Sequence, residues 1–269
     1  MTPGRYLSFD PVAAEYDRTR VIPETHLEEA TRIITHECHL ERGGLFLDAG
    51  VGTGRFAAPL ARRHPGQVIG ADIAPAMMER IGAKALPGSL SLVQTDLQRL
   101  PFRRGVFEGV LLVHILQLIE QWKLVLQEMR RVLVPRVGSL LLGVEQGGRS
   151  ILVDFYYERA RARNVLAASL GSGMAPVLAY LRRAERMGGL GGRVTLLETP
   201  QLAWKRVVPT AETLEALAGR AYSQMWGIPD EQHEELMDET RRYAARTFPR
   251  QGGAEALSSR LVLYKAWWP

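Results

Sequence analysis

Cysteine is almost absent from this chain: its 269 residues hold one, Cys38. A lone thiol makes no internal disulfide and builds no thiolate zinc cluster, so no metal site is expected. Lysine is scarce as well, with Lys84, Lys123, Lys205 and Lys265 the whole set. The net charge of +5 and the pI near 9.5 therefore rest on arginine. Most arginines are interleaved with acids. The local exceptions, Arg159, Arg161 and Arg163 and the group Arg182, Arg183 and Arg186, sit at helical spacing and read as solvated helix faces. No run reaches the about 18 apolar residues of a membrane-spanning helix, and Met1 to Tyr6 carry no apolar signal core. A cytoplasmic protein is expected. What remains, 46% hydrophobic and 23% charged residues, suits an ordinary globular chain.

Hydrophobic patterning then divides the chain. Residues 1–43 read as mainly helical. Asp10-Pro11 reads as a helix cap followed by proline at the first helical position, and 24–40 as a second helix stopped by Gly43-Gly44. From Leu45 short apolar runs alternate with helical periodicity: strands at 45–47, 68–71, 90–93, 106–113 and 138–144, with helices from about Phe56, over Pro75 to Ala85, and over 120–134. Strand alternating with helix argues for a doubly wound α/β sheet, mostly parallel, of Rossmann-like architecture. Residues 146–200 break the rhythm with helical stretches parted by Gly171-Ser172-Gly173 and by Gly188 to Gly192. They are expected to form a helical cap inserted into a domain made of 1–145 and 201–269. A sixth strand is expected at 201–208, a helix from Thr210, a charged helix over 230–247, and a terminal antiparallel strand over 261–268.

The first strand runs into Asp48-Ala49-Gly50-Val51-Gly52-Thr53-Gly54-Arg55. The glycines permit a tight turn and a close backbone approach to a ligand. The turn lacks the Gly-Lys-Ser/Thr of a phosphate-cradling NTPase loop, and Arg55 stands where the dinucleotide pattern has its third glycine. Asp48, Asp72 and Asp96 each follow a strand, 24 residues apart. Ligands of open α/β sheets bind outside the carboxyl ends of the strands, so the three acids are expected to face one ligand.

These motifs, taken in order, resemble those of class I S-adenosylmethionine-dependent methyltransferases. Asp48-x-Gly50-x-Gly52-x-Gly54 is similar to the family's first motif, Val68 to Asp72-Ile73-Ala74-Pro75-x-Met77 to its second, and Leu92 to Asp96-Leu97 to its third. Leu126-x-Glu128-x-x-Arg131 through Gly138 resembles the approach to the fifth strand. Phe9-Asp10-x-x-Ala13-x-x-Tyr16-Asp17-x-x-Arg20 resembles the small-molecule branch of ubiquinone/menaquinone type. The resemblance implies S-adenosyl-L-methionine as cofactor. It places the ribose diol on Asp72, the adenine against Ile73, Asp96 and Leu97, and the ammonium on Asp48 and the Gly50 carbonyl. Ala49, Gly52, Met77 and Val113 complete the implied cofactor contacts, with Tyr16 and Arg20 closing over the methionine end. Ala74 departs from the family's usual hydroxyl residue, which costs a cap.

Methyl transfer is an in-line displacement, so alignment matters more than acid–base chemistry. His114, where the fourth strand ends, is the candidate base or acceptor contact; Glu145, Tyr156, Tyr157 and Trp226 are further candidates for the acceptor pocket. The expected acceptor is a small molecule methylated at O, N or C. An RNA-modifying enzyme and a non-catalytic binder of the same cofactor are the alternatives, and nucleic acid is the weaker partner. Val113-His114-Ile115-Leu116 lacks the Asp/Asn-Pro-Pro-Tyr/Phe of amino-methylating nucleic-acid enzymes. Nothing in the pattern sets an oligomeric state.

Overall fold

The computed structural model describes residues 7, 9–82, 89–166, 171–186, 193–249 and 253–268. The predicted helix end at Ala85 and the predicted break at Gly188 to Gly192 lie outside the described residues. The strands are β1 (Leu45–Ala49), β2 (Gln67–Asp72), β3 (Leu90–Gln94), β4 (Gly109–Val113), β5 (Ser139–Gly147), β6 (Arg193–Leu197), β7 (Ala203–Pro209) and β8 (Ala254–Trp267). They form one sheet in the order β3-β2-β1-β4-β5-β8-β6, with β7 also paired to β8. Strands β1 to β5 are parallel, and β8 runs antiparallel to β5, β6 and β7. The expected α/β sheet with a terminal antiparallel strand is therefore present.

The helices are α1 (Ala13–Thr19), α2 (Glu24–Glu37), α3 (Ala57–Arg63), α4 (Pro75–Gly82), α5 (Trp122–Val132), α6 (Ile151–Ala162), α7 (Met174–Arg186), α8 (Thr210–Ala218) and α9 (Asp230–Thr247). Strand alternation assigns the two faces of the sheet. Phe46 and Leu111 point into the layer holding Ile34 of α2, Leu60 of α3 and Ile81 of α4. Their neighbours Leu47, Val110 and Leu112 point into the layer holding Met129 of α5 and Val177 of α7. A parallel strand covered by helices on both faces reads as an unbroken apolar run, which is why these strands are visible in the sequence.

Three differences from the sequence reading have physical reasons. Asp10 does not cap its own helix. Phe9 holds the cap position without a side-chain bond, and the Asp10 carboxylate accepts instead from the Ala76 N–H at 2.9 Å, tying the N-terminal arm to α4. Strand β8 starts at Ala254 rather than near 261; the buried face of its first half carries Glu255, Leu257 and Ser259, two polar residues of three, so no apolar alternation marks it in the sequence. Strand β6 is an edge strand whose side chains are largely exposed, so it carries no buried run to find.

The segment 146–200 contributes to two places. Helix α6 joins α8 and α9 around a third core of Tyr156, Leu217, Leu236 and Met237, whereas α7 and β6 extend the sheet layer. Helix α6 is anchored at its start. Ser150 caps it by accepting from the Leu152 N–H at 3.0 Å. Buried Glu255 of β8 accepts from the Ser150 hydroxyl and, at 2.8 Å, from the Ile151 N–H. Glu255→Ala strands both donors and should destabilise the chain by about 1–3 kcal/mol. Glu255→Gln keeps one acceptor and should lose less. Urea denaturation of the three proteins measures it, and equal midpoints would remove Glu255 as the anchor.

Candidate active site

The first βα turn owes its shape to glycine. Gly50 and Gly52 have φ of +87° and +52°, values at which a β-carbon is strained. Gly50 also lies under Ile115: a β-carbon there would stand 2.1 Å from the Ile115 Cδ1. The turn is braced from β2. The Ala71 carbonyl accepts from the N–H groups of Gly50 and Val51 at 2.7 and 3.0 Å.

Asp72 ends β2 with both carboxylate oxygens engaged. Oδ2 accepts from the Gly52 N–H at 2.8 Å and Oδ1 from the Ala74 N–H at 2.9 Å. The Ile73 N–H adds a third backbone donor, and the carboxylate fronts a cavity of about 750 Å³. Burial raises its pKa above the ordinary value, against the pull of these backbone donors. Asp96 fronts the same cavity; its Oδ1 accepts from the Gln98 N–H at 2.8 Å.

Of the residues expected at the site, Tyr16, Arg20, Gly50, Gly52, Asp72, Ile73, Met77, Asp96, Leu97, Val113 and His114 all line this cavity. Asp48 and Ala49 do not. Asp48 is buried beneath the glycine loop, with the Ala57 N–H as its backbone donor. Burial first, and the Asp72 charge second, push its carboxyl up to about 7. The register explains the miss. Leu45 of β1 faces Gln67 of β2, and Val68 faces Leu90 of β3, a step of 22 residues per strand. Acids that recur every 24 residues therefore climb two residues per strand, about 6.6 Å at the rise of a parallel strand. Asp48 lies opposite Gly70, well inside the sheet, while Asp72 and Asp96 reach its edge.

His114 follows β4 in a left-handed conformation, φ +56°. Its Nε2 accepts from the Glu145 N–H at 2.9 Å, so the neutral ring carries its proton on Nδ1. Burial, with Arg55 and Arg20 nearby, lowers its pKa to about 3. Such an imidazole is a weak base at neutral pH, and it meets the cavity as a neutral side chain.

An N-terminal arm closes over the loop. The Thr53 hydroxyl donates to Asp17, and Arg55 Nη1 donates to the Arg20 carbonyl at 2.8 Å. The Arg20 guanidinium stands 6.0 Å from the Tyr16 ring and 5.0 Å from the Tyr222 ring. Phe9 packs edge-on against Tyr16 and Trp226.

The cavity has a second half, built by α6, β7, α8 and the segment after α8. Tyr157 and Trp226 line it as expected, together with Arg149, Arg206, Glu212, Thr213 and Tyr222. Tyr156 does not; it is buried in the third core with its hydroxyl 2.7 Å from His233 Nδ1. Arg206, Glu212 and Tyr222 lie in segments with no motif, and only their shared cavity singles them out. Burial raises the pKa of Tyr157 and Tyr222, so both remain neutral hydrogen-bond donors. Among the described residues no group of three or more His, Cys, Asp or Glu is placed to hold a metal ion.

Residues 47–141 match the family model described as a methyltransferase domain. That stretch, about a third of the chain, is similar to a methyltransferase domain. Over 154 residues it is 29% identical to the ubiquinone/menaquinone biosynthesis C-methyltransferases UbiE of Idiomarina loihiensis and Yersinia pestis, covering 55% of this chain and 57% of each relative. The chain thus spans a little over half the length of the curated relatives it matches. The YcgJ protein of Bacillus subtilis shares the fold at a TM-score of 0.58, 15% identical, with 91% of this chain and 99% of that one covered. The 4+2 cyclase SpnF shares it at 0.52, 16% identical, covering all of this chain and 88% of that one. The methyltransferase match ends before α6. It contains the glycine loop, Asp72, Asp96 and His114, but none of the residues that build the second half of the cavity.

Proposed function

We propose that this protein transfers the methyl group of S-adenosyl-L-methionine to a small-molecule acceptor held in the second half of the cavity. The observation that carries the reading is Asp72: a strand-end carboxylate held by backbone donors beside a glycine turn and fronting the cavity with both oxygens as acceptors. That pair of acceptors suits a ribose diol. Ile73, Leu97 and Asp96 suit the adenine, and Met77 the space against the glycine loop. The cofactor supplies an activated methyl group. The chain's own residues then have three tasks: to bind, to align the acceptor and to exclude water. The N-terminal arm, α6 and α8 wall the cavity and exclude water, α6 being the part of the 146–200 segment that takes this role. No described side chain is needed as a base; neutral His114, Tyr157 and Tyr222 orient the acceptor.

A second half of the cavity, with its own aromatic and polar lining, favours an enzyme over a non-catalytic binder. The cavity's volume of about 750 Å³ suits a small acceptor rather than RNA. The buried Cys38 suits a reducing, cytoplasmic setting. Calorimetry with S-adenosylhomocysteine tests the cofactor half, with micromolar binding expected. Filter binding of RNA at two salt concentrations tests the alternative: tight binding that falls steeply with salt would favour an RNA substrate.

A further inference from the structure

Strand β7 carries a charge on its inner face. Its alternation turns Trp204, Arg206 and Val208 toward the interior and leaves Lys205 and Val207 outside, Val207 being 72% exposed. An apolar residue turned out beside a cation turned in inverts the usual pattern, and proteins break such local rules mostly where function needs it. Arg206 stands opposite Leu257 of β8, and both line the second half of the cavity with Val208. Among the described residues nothing answers this charge: Arg206 makes no hydrogen bond and no ion pair. Glu255, the acid on the same face of β8, is taken by the Ser150 hydroxyl and the Ile151 N–H. Glu212 of α8 lines the cavity as well, beyond ion-pair distance of Arg206. The other cations of this wall are engaged. Arg149 pairs with Asp154 and lies over the Tyr157 ring, and Arg20 lies against Tyr16 and Tyr222. Water solvates Arg206 in the empty cavity. An acceptor that displaces this water leaves the cation uncompensated unless it brings an anion of its own.

We propose that the methyl acceptor is a small aromatic carboxylic acid whose carboxylate is bound by the Arg206 guanidinium. Two parallel N–H donors of an arginine match the two oxygens of a carboxylate. A single free cation, with Glu212 on the same wall, suits a singly charged anion better than a doubly charged phosphate. Tyr157, Tyr222 and Trp226 line the rest of this half and offer ring faces and edges to an aromatic body. The inference rests on the methyl-transfer reading above and names the class of acceptor.

The probes are benzoate, 2-naphthoate and indole-3-acetate, each beside its uncharged primary amide, titrated by calorimetry into protein saturated with S-adenosylhomocysteine. At least one acid should bind, and about ten-fold tighter than its amide, as for hydrogen bonds to a charged group. Arg206→Gln should abolish that preference while S-adenosylhomocysteine binds as in wild type, which also certifies the fold of the variant. Arg206→Lys, which keeps the charge without the fork, should restore part of it. Acids that bind no tighter than their amides, a preference that survives in Arg206→Gln, or no binding by any acid overturns the inference and leaves the cofactor reading standing. An Arg206→Gln variant that loses S-adenosylhomocysteine as well also overturns it, moving Arg206 to the support of the cofactor half. Wild-type protein that does not bind S-adenosylhomocysteine overturns the cofactor reading and this inference together.

Discussion

Asp72→Ala should weaken S-adenosylhomocysteine by about 2–4 kcal/mol, a factor of about 30 to 1000. Two losses combine. The ribose hydroxyls lose both acceptors, and the N–H groups of Gly52 and Ala74 lose the carboxylate that fixes the loop against β2. Asp72→Asn separates them: its amide retains one acceptor oxygen and much of the shape, so its loss should be intermediate. Unfolding is not the expected cause. Burial raises the pKa of this carboxyl, so the empty site gains little from its charge, and the melting temperature of Asp72→Ala should move far less than its affinity. Calorimetry alongside thermal unfolding checks both halves. Wild-type affinity in the alanine variant would sink the assignment of Asp72 to the ribose.

What the sequence reveals follows from how each element buries itself. Strands β1 and β4 are covered on both faces, so Phe46-Leu47 and Val110-Leu111-Leu112 stand out as apolar runs. Asp72 and Asp96 are legible because strand-end acids recur once per βα unit. Asp48 shows the limit of that signal. Spacing along the chain does not report height in the sheet, and the difference between a 24-residue recurrence and a 22-residue register places one acid of three beneath the site. The third core was illegible for another reason. Helices α6, α8 and α9 form one body from segments some 50 residues apart, and β7 runs between them in sequence while pairing with the sheet. Amphipathic spacing reveals each helix but not which apolar stripe meets which. Arg206 and Tyr222 therefore gain meaning only once the folds of the chain bring them to one wall.

Asp48 and His114 should give the cofactor-free protein two opposed dependences of stability on pH. The Asp48 carboxyl, raised to about 7 from an ordinary 3.8, holds a proton in the folded chain that the unfolded chain has released. Stability from this group is present below pH 3.8 and is lost as pH rises through 7. His114 runs the other way. Its pKa is lowered from 6.5 to about 3, so the unfolded chain binds the extra proton and stability is lost as pH falls from 6.5 toward 3. Each group contributes a slope of at most about 1.4 kcal/mol per pH unit, and between about pH 4 and 6.5 the two slopes oppose. Asp48→Asn removes one limb, because asparagine stays neutral and can still accept from the Ala57 N–H. The stability of Asp48→Asn relative to wild type should be near its minimum at pH 4, climb by a few kcal/mol to pH 7 and level off above it. His114→Gln should gain on wild type only below pH 6.5. Urea midpoints at half-unit steps from pH 4 to 8 give both difference curves, in which carboxylates remote from the two sites cancel. A flat Asp48→Asn curve would mean that the loop covers a carboxylate at ease with its charge.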